Sequence, residues 1–198
     1  MLKQTAKTRV DAIVIGASAG AVDALGVLLP AFPSTFQTPV IIVVHVPGNR
    51  PSLLVELFAP KCALPVREAE DKLQVGGGTL WFAPPGYHLL IERERTFALS
   101  VDEAVNHSRP SIDVLFESAA DAYADRLLAM VLTGANQDGA QGAKAIQAKG
   151  GLLAVQDPAG AQVSTMPEAC IERTKPDLIA ALPDLALYAV AQGSEVRS

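Results

Sequence analysis

Arg9–Ala21 reads RVDAIVIGASAGA, and the fold is decided by how that stretch is read. Its apolar run Ala12-Ile13-Val14-Ile15 is short, β-branched and stopped by Gly16, which predicts a strand buried on both faces. Small residues at Gly16, Ala17, Ala19, Gly20 and Ala21 let the backbone reverse tightly and leave Ser18 as the one reactive side chain at the strand's carboxyl end. Beyond Val22, the residues Leu25, Leu28 and Leu29 recur at helical spacing, so a helix begins just past the serine. Strand, small-residue turn and helix make one unit.

Three readings of that turn compete. In the first, Gly16–Gly20 is a nucleophile elbow that presents Ser18 Oγ to substrate, with backbone N–H groups at the helix N-terminus ready for a developing oxyanion. In the second, the turn cradles a phosphate or nucleotide on the same N-terminus; the missing G-x-G-x-x-G and G-K-[ST] patterns weaken it. In the third, it is a strand-to-helix turn with no chemistry, as occurs in many α/β domains.

Composition narrows the class. The length of 198 residues suits one domain with its own core, and 49% apolar against 5% aromatic residues means that core is built from Ala, Val, Leu and Ile. A net charge of −5 with no long block of like charge argues against a nucleic-acid surface and leaves a protein partner open. Cys62 and Cys170 lack metal-ligand spacing to any Cys or His and read as packing residues in a reducing compartment. No metal or organic cofactor is implied. The basic start MLKQTAKTR has no apolar signal core behind it, and no run reaches the length of a membrane span, so a cytoplasmic protein without membrane insertion is expected.

A second strand-then-helix unit follows the first: Val40–Val46 is continuous apolar sequence with His45 as its single polar intruder, stopped by Pro47 and Gly48. Leu53, Leu54, Leu57 and Phe58 then share a helical face between Pro51 and Ala59. Two such units imply a parallel sheet with helical crossovers. Between Pro65 and Val101, the runs Thr79–Phe82, Tyr87–Ile91 and Thr96–Ser100, separated by Gly, Pro and charged turns, predict short antiparallel strands appended to that sheet. Pro110, at a first helical position, opens a helix to about Ala124. A strand over Leu127–Leu132, the loop Thr133–Gly139, a helix over Ala140–Ala148 and a strand over Leu152–Val155 follow. Two shorter helices lie around Pro167–Arg173 and Pro183–Ala191. The expectation is α/β: a mostly parallel, doubly wound sheet with helices on both faces and an added antiparallel hairpin, one domain over residues 1–198.

In such sheets functional groups collect at the carboxyl ends of the strands. The polar residues just past three separate strands are Ser18, His45 and Asp138: a nucleophile, a base and a carboxylate, the set that acyl-transfer hydrolysis needs. Their chain order, Ser-His-Asp, differs from the Ser-Asp-His order of α/β-hydrolases. Bland alternatives stand beside each. His45 could be a satisfied core histidine, and Asp138 before Gly139 could be the N-cap of the following helix. His88, within a hairpin, and His107, in a polar loop, are weaker base candidates.

The chain also resembles the catalytic domain of the chemotaxis protein-glutamate methylesterases, the CheB family, over almost its whole length. The resemblance is carried by V-I-G-A-S-A-G around Ser18, V-V-H-V-P around His45, F-A-P-P-G-Y-H-L-L from Phe82, S-R-P-S-I-D-V-L-F-E-S-A-A from Ser108, V-L-T-G-A-N-Q-D-G-A around Asp138, and A-V-Q-D-P followed by S-T-M-P-E-A. It places the family's catalytic serine, histidine and aspartate on Ser18, His45 and Asp138. It implies hydrolysis of γ-glutamyl methyl esters on chemoreceptor cytoplasmic helices, with glutamine deamidation in some members. Backbone N–H groups near Ala19 and Ala135 are the candidate oxyanion donors. Members commonly carry Thr and Gly where this chain has Ala19 and Ala21, and Met-Gly-Asn where it has Ala135, Asn136 and Gln137; backbone donors survive such changes. Regulatory members carry an N-terminal receiver domain. About a dozen residues precede the first strand here, so the expectation is a domain that is constitutively active or controlled by a separate regulatory receiver protein. The rivals are a related esterase or amidase on a non-chemoreceptor substrate, and a scaffold module with a vestigial triad.

Overall fold

The structure, a computed structural model, describes residues 10–46 and 52–193. The opening stretch folds as its pattern predicts: strand β1 (Ala12–Ala17) is fully buried and leads into helix α1 (Ala21–Leu28). Strand β2 (Val40–Val44) pairs with β1 in parallel, Ala17 opposite Val44, and helix α2 (Leu54–Phe58) follows. The expected stop at Pro47 and Gly48 and the residue Pro51 lie outside the described residues.

The stretch from Pro65 to Val101 departs from the expectation. Strand β4 (Leu80–Phe82) is not an antiparallel addition; it pairs in parallel with β2 and with β3 (Val66–Glu68), a strand absent from the sequence reading, and extends the main sheet. Its three residues are all buried, so two side chains on one face and one on the other show no alternation from which to read orientation. Only β5 (His88–Ile91) and β6 (Phe97–Ser100) form an antiparallel hairpin, and Ile91 N–H donates to Ser118 Oγ to tie it to helix α3 (Ile112–Tyr123). Pro110 is not the first helical residue, since Ser111 is the N-cap. Strand β7 (Leu127–Val131), helix α4 (Ala140–Ala148), strand β8 (Leu152–Gln156) and helix α5 (Thr165–Arg173) come as predicted. Strand β9 (Leu178–Ala180), absent from the sequence reading, forms the far edge of the sheet before helix α6 (Leu182–Gln192).

The main sheet runs β3-β4-β2-β1-β7-β8-β9, all parallel. Alternate residues of β1 enter two separate cores. Ile13, Ile15 and Ala17 pack with Leu25 and Leu28 of α1, Phe58 of α2 and Leu185 of α6. Ala12 and Val14 pack with Ile112 and Phe116 of α3, Ile146 of α4, Cys170 of α5 and Phe97 of the hairpin. Each fully buried Leu, Ile or Phe contributes about 1.5–3 kcal/mol relative to exposure, so both layers hold β1 at the centre. Burial raises the thiol of Cys62, and pushes that of Cys170 to about 11; both are free. The chain leaves β1 toward β2 on one side and returns to β7 on the other, and this reversal opens a crevice at the carboxyl ends of the strands.

Candidate active site

Ser18 and His45 each follow directly on the last ladder pair of β1 and β2, so parallel pairing alone sets them side by side. The His45 N–H donates to Ala17 O at 3.2 Å, and the Ser18 N–H donates to Thr133 O at 2.9 Å. Thr133 Oγ1 in turn donates to Ala19 O at 2.8 Å, which fastens the serine turn to the loop after β7. Gly20 closes the turn with φ of 82°, and a Cβ there would meet Gln162 and Thr133. Ser18 Oγ has no hydrogen-bond partner among the described residues and is half-buried.

Asp138 is the opposite case. Its side chain is fully buried, and its carboxylate accepts five hydrogen bonds. His45 Nε2 donates to Oδ2 at 2.8 Å and the Ile112 N–H to the same oxygen at 2.7 Å. Oδ1 receives Asn106 Nδ2 at 2.9 Å, Ser111 Oγ at 2.9 Å and the Asp113 N–H at 3.1 Å. The carboxylate therefore sits on the N-terminus of α3, where orphan N–H groups and the helix dipole favour negative charge. Burial opposes ionisation, but the bonds from His45, Ile112, Asn106 and Asp113 outweigh it and bring the carboxyl to about 2. Close approach of α3 makes this possible. Ile112 packs against Gly16, and a Cβ on Gly139, which has φ of 92°, would come within 2.7 Å of Ile112 Cγ2. The alternative reading of Asp138 as the cap of α4 is set aside: Gly139 is that helix's N-cap without a side-chain bond, and Asp138 serves α3 instead.

With Nε2–H committed to Asp138, the neutral His45 ring holds its lone pair on Nδ1. The alternative histidines do other work. His88 is buried, accepts from the Ser111 N–H at Nδ1 (3.2 Å) and donates from Nε2 to Glu103 O (3.0 Å), a satisfied core histidine. His107 is exposed in a tight turn with φ of 62°. The N–H groups of Ala19 and Ala135 have no acceptor among the described residues. A cavity of about 330 Å³ opens beside Gly20, lined by Asp23, Thr133, Gln156 and Gln162 among others; Ser18, His45 and Asp138 do not line it. Its one charged lining residue is the acid Asp23, which is unsuited to a phosphate and disfavours the nucleotide reading of the turn. Among the described residues no three His, Cys, Asp or Glu side chains group to hold a metal ion, and no helix is long and apolar enough to cross a membrane.

The family described as CheB methylesterase matches residues 13–188. This chain belongs to the CheB methylesterase family. It is thereby a hydrolase by descent, and its fold agrees: the Thermotoga maritima CheB methylesterase catalytic domain superposes with a TM-score of 0.86 at 28% identity, covering 92% of this chain and 98% of that one. A Leptospira interrogans protein with the provisional name protein-glutamate methylesterase/protein-glutamine glutaminase is 46% identical over 176 residues, 89% of this chain and 91% of the relative. A protein-glutamate methylesterase/protein-glutamine glutaminase of Trichodesmium erythraeum is 37% identical over 163 residues, covering 80% of this chain but 46% of the relative's length.

Within this CheB-type site, sequence reasoning missed the residues that hold the pair rather than form it. Asn106, with φ of 50°, forms a two-residue turn with His107 between Val105 and Ser108. Its Nδ2 joins Asp138 to Asp113 at 2.9 and 2.8 Å. Asp113 also accepts the Gly142 N–H at 2.7 Å. Burial first, and then the neighbouring Asp138 charge, raise its carboxyl above the ordinary value despite bonds from Gly142 and Asn106. An Asn followed by a polar residue between extended segments is the one sequence signal for that turn.

Proposed function

We propose that this chain is a protein-glutamate methylesterase that hydrolyses γ-glutamyl methyl esters on chemoreceptor cytoplasmic helices, with Ser18 as nucleophile, His45 as general base and Asp138 as the carboxylate that orients it. The observation that carries this reading is the 2.8 Å bond from His45 Nε2 to a buried, ionised Asp138. It fixes the ring and leaves Nδ1 basic next to the strand end that presents Ser18. Catalytic Ser–His hydrogen bonds tighten only once substrate is bound, so the open contact between Ser18 and His45 is compatible with these roles.

Ser18 Oγ gives its proton to His45 Nδ1 and attacks the ester carbonyl. The tetrahedral oxyanion is met by the N–H groups of Ala19 and Ala135, which donate to no described acceptor. Asp138 stabilises the imidazolium that forms, and His45 returns the proton to the leaving methoxide, releasing methanol. Water deprotonated by His45 then frees the glutamate carboxylate and Ser18. The double names of the relatives favour a second activity at the same site: a glutamine side chain would acylate Ser18 with loss of ammonia.

The test is methanol release from methyl-labelled chemoreceptor membranes by wild type and Ser18→Ala at equal folded concentration. Ser18-dependent release is the expected result. Retention of a fluorophosphonate label at Ser18 without methanol release would keep the hydrolase and discard this substrate. Loss of both would favour the scaffold reading.

A further inference from the structure

We propose that Ser108 positions the water that frees the acyl group from Ser18, an inference that rests on the serine-hydrolase reading above. A hydroxyl other than that of Ser18 approaches the base nitrogen of His45. Ser18 follows β1, whereas Ser108 closes the Val105–Ser108 turn, and it is Ser108 Oγ that lies 3.4 Å from His45 Nδ1. That is long for a direct O–H···N bond. The other acceptor of the same hydroxyl, Asn106 O, is equally distant at 3.5 Å. A hydroxyl held at such distances by both acceptors is committed to neither and can turn toward a third partner.

Its location is nonetheless fixed. The turn is closed by Val105 N–H to Ser108 O (3.2 Å) and Ser108 N–H to Val105 O (2.9 Å). Asn106 anchors it to Asp113 and Asp138, and Arg109 donates to Val101 O and Asp102 O at 2.7 and 2.9 Å. Ser108 is therefore built into the same framework that fixes the His45–Asp138 pair. It is unsuited to be the nucleophile itself, because the helix N-terminus that follows it, that of α3, is already occupied by the Asp138 carboxylate, while the Ala19 N–H after Ser18 donates to no described acceptor.

The second half-reaction needs what Ser108 offers. Once Ser18 Oγ is esterified, it has no proton and cannot orient anything toward His45. A water must sit within hydrogen-bond distance of Nδ1 and be held by a further group. Ser108 Oγ accepts one hydrogen bond from this water, which donates the other to Nδ1. The proton passes from water to Nδ1, the hydroxide oxygen bonds to the acyl carbon, and collapse breaks the bond to Ser18 Oγ. That oxygen recovers the proton from His45.

The experiment is pre-steady-state hydrolysis of p-nitrophenyl acetate by the full chain as wild type, Ser108→Ala, Ser108→Thr and Ser18→Ala, with folding of each checked by melting. Ser108→Ala is expected to lower kcat roughly 10- to 100-fold while kcat/KM changes by less than about twofold, and to accumulate acyl-enzyme as a full nitrophenolate burst. Ser108→Thr, which keeps the hydroxyl, and added hydroxylamine, which needs no positioned water, should each restore turnover. A parallel fall in kcat/KM and burst rate would overturn the inference and make Ser108 a general support of the ring. Unchanged or raised kcat would overturn it too. If Ser18→Ala still shows the burst, the nucleophile assignment fails first and takes this inference with it. Should Ser108→Ala not fold, the ratio of kcat to burst rate in Ser108→Thr and Ser108→Cys decides in the same way.

Discussion

At the N-terminus of α3 the Asp138 carboxylate accepts from the N–H groups of Ile112 and Asp113, whereas at the turn into α1 the Ala19 N–H donates to nothing among the described residues. Both ends lie at the carboxyl edge of the same sheet and both are electropositive for the same reason. One is occupied by the protein's own charge; the other, in the proposed function, meets the oxyanion that forms on the substrate. The same contrast separates the two side chains: Asp138 is buried with five donors, while Ser18 is half-buried with no hydrogen-bond partner among the described residues. A carboxylate that must stay ionised beside an imidazolium needs a fixed, fully satisfied cage. A nucleophile must be able to leave its resting position.

The largest effect should come from the free side. Ser18→Ala removes the proposed nucleophile and no side-chain hydrogen bond among the described residues, so esterase activity should fall by about 10⁴- to 10⁶-fold with the melting temperature unchanged, measured by methanol release and thermal melting on the same sample. A substantial drop in stability would mean that Ser18 is held by contacts the free hydroxyl does not reveal.

On the caged side activity and stability should fall together. Asp138→Asn places an amide where five donors converge and cannot hold the ionised charge, and about 10³- to 10⁴-fold of activity should be lost. Asp138→Ala strips the acceptor from two buried N–H groups at about 1–3 kcal/mol each, for a loss on the order of 2–6 kcal/mol in denaturant unfolding. The same carboxylate sets an acid limb. Because its value drops from 3.8 in the unfolded chain to about 2, its stabilisation is complete above about pH 4 and disappears as pH falls through about 2. The raised Asp113 carboxyl acts in the opposite sense, since protonating it relieves a buried charge. Stability measured from pH 5 to pH 2 should therefore fall more steeply in wild type than in Asp138→Ala.

What could be read in the sequence follows the same division. The strand ends of β1 and β2 were legible because fully buried parallel strands write continuous apolar runs, and the residue that breaks each run marks the crevice. Ser18, His45 and Asp138 stand out on that ground, and the structure joins two of them, His45 and Asp138. The cage was not, because Asn106, Ser111 and the N–H groups of Ile112 and Asp113 reach Asp138 only through the packing of α3 on Gly16 and Gly139, and a contact between distant elements leaves no local period. Short strands failed for a related reason. Val66–Glu68, Leu80–Phe82 and Leu178–Ala180 have three residues each, too few to show whether alternation is present or which direction the neighbour runs.

Asn106→Ala tests the cage at one step removed. It deletes a donor from each of two carboxylates and leaves the bonds from His45 and α3 intact, so a loss of about 1–2 kcal/mol is expected, with activity lowered far less than in Asp138→Asn. Asn106→Asp would bring a third carboxylate against the two and should be worse than alanine; if the two variants were equal in stability, the amide would contribute shape rather than charge.

The smallest effect lies in the helix behind the nucleophile. Gly26 sits inside α1, and a Cβ added there meets nothing within 4 Å. Its φ is ordinary, so alanine brings helix propensity without strain, and stability should rise by about 0.5–1 kcal/mol. The Ser18 turn is set by Thr133, Gly20 and the β1–β2 register rather than by the mobility of α1. Gly26→Ala should therefore leave kcat and KM where they are. A stabilised variant with impaired turnover would show instead that the free end of the comparison depends on slack in α1, and that the unoccupied Ala19 N–H reaches its working position only when the helix moves.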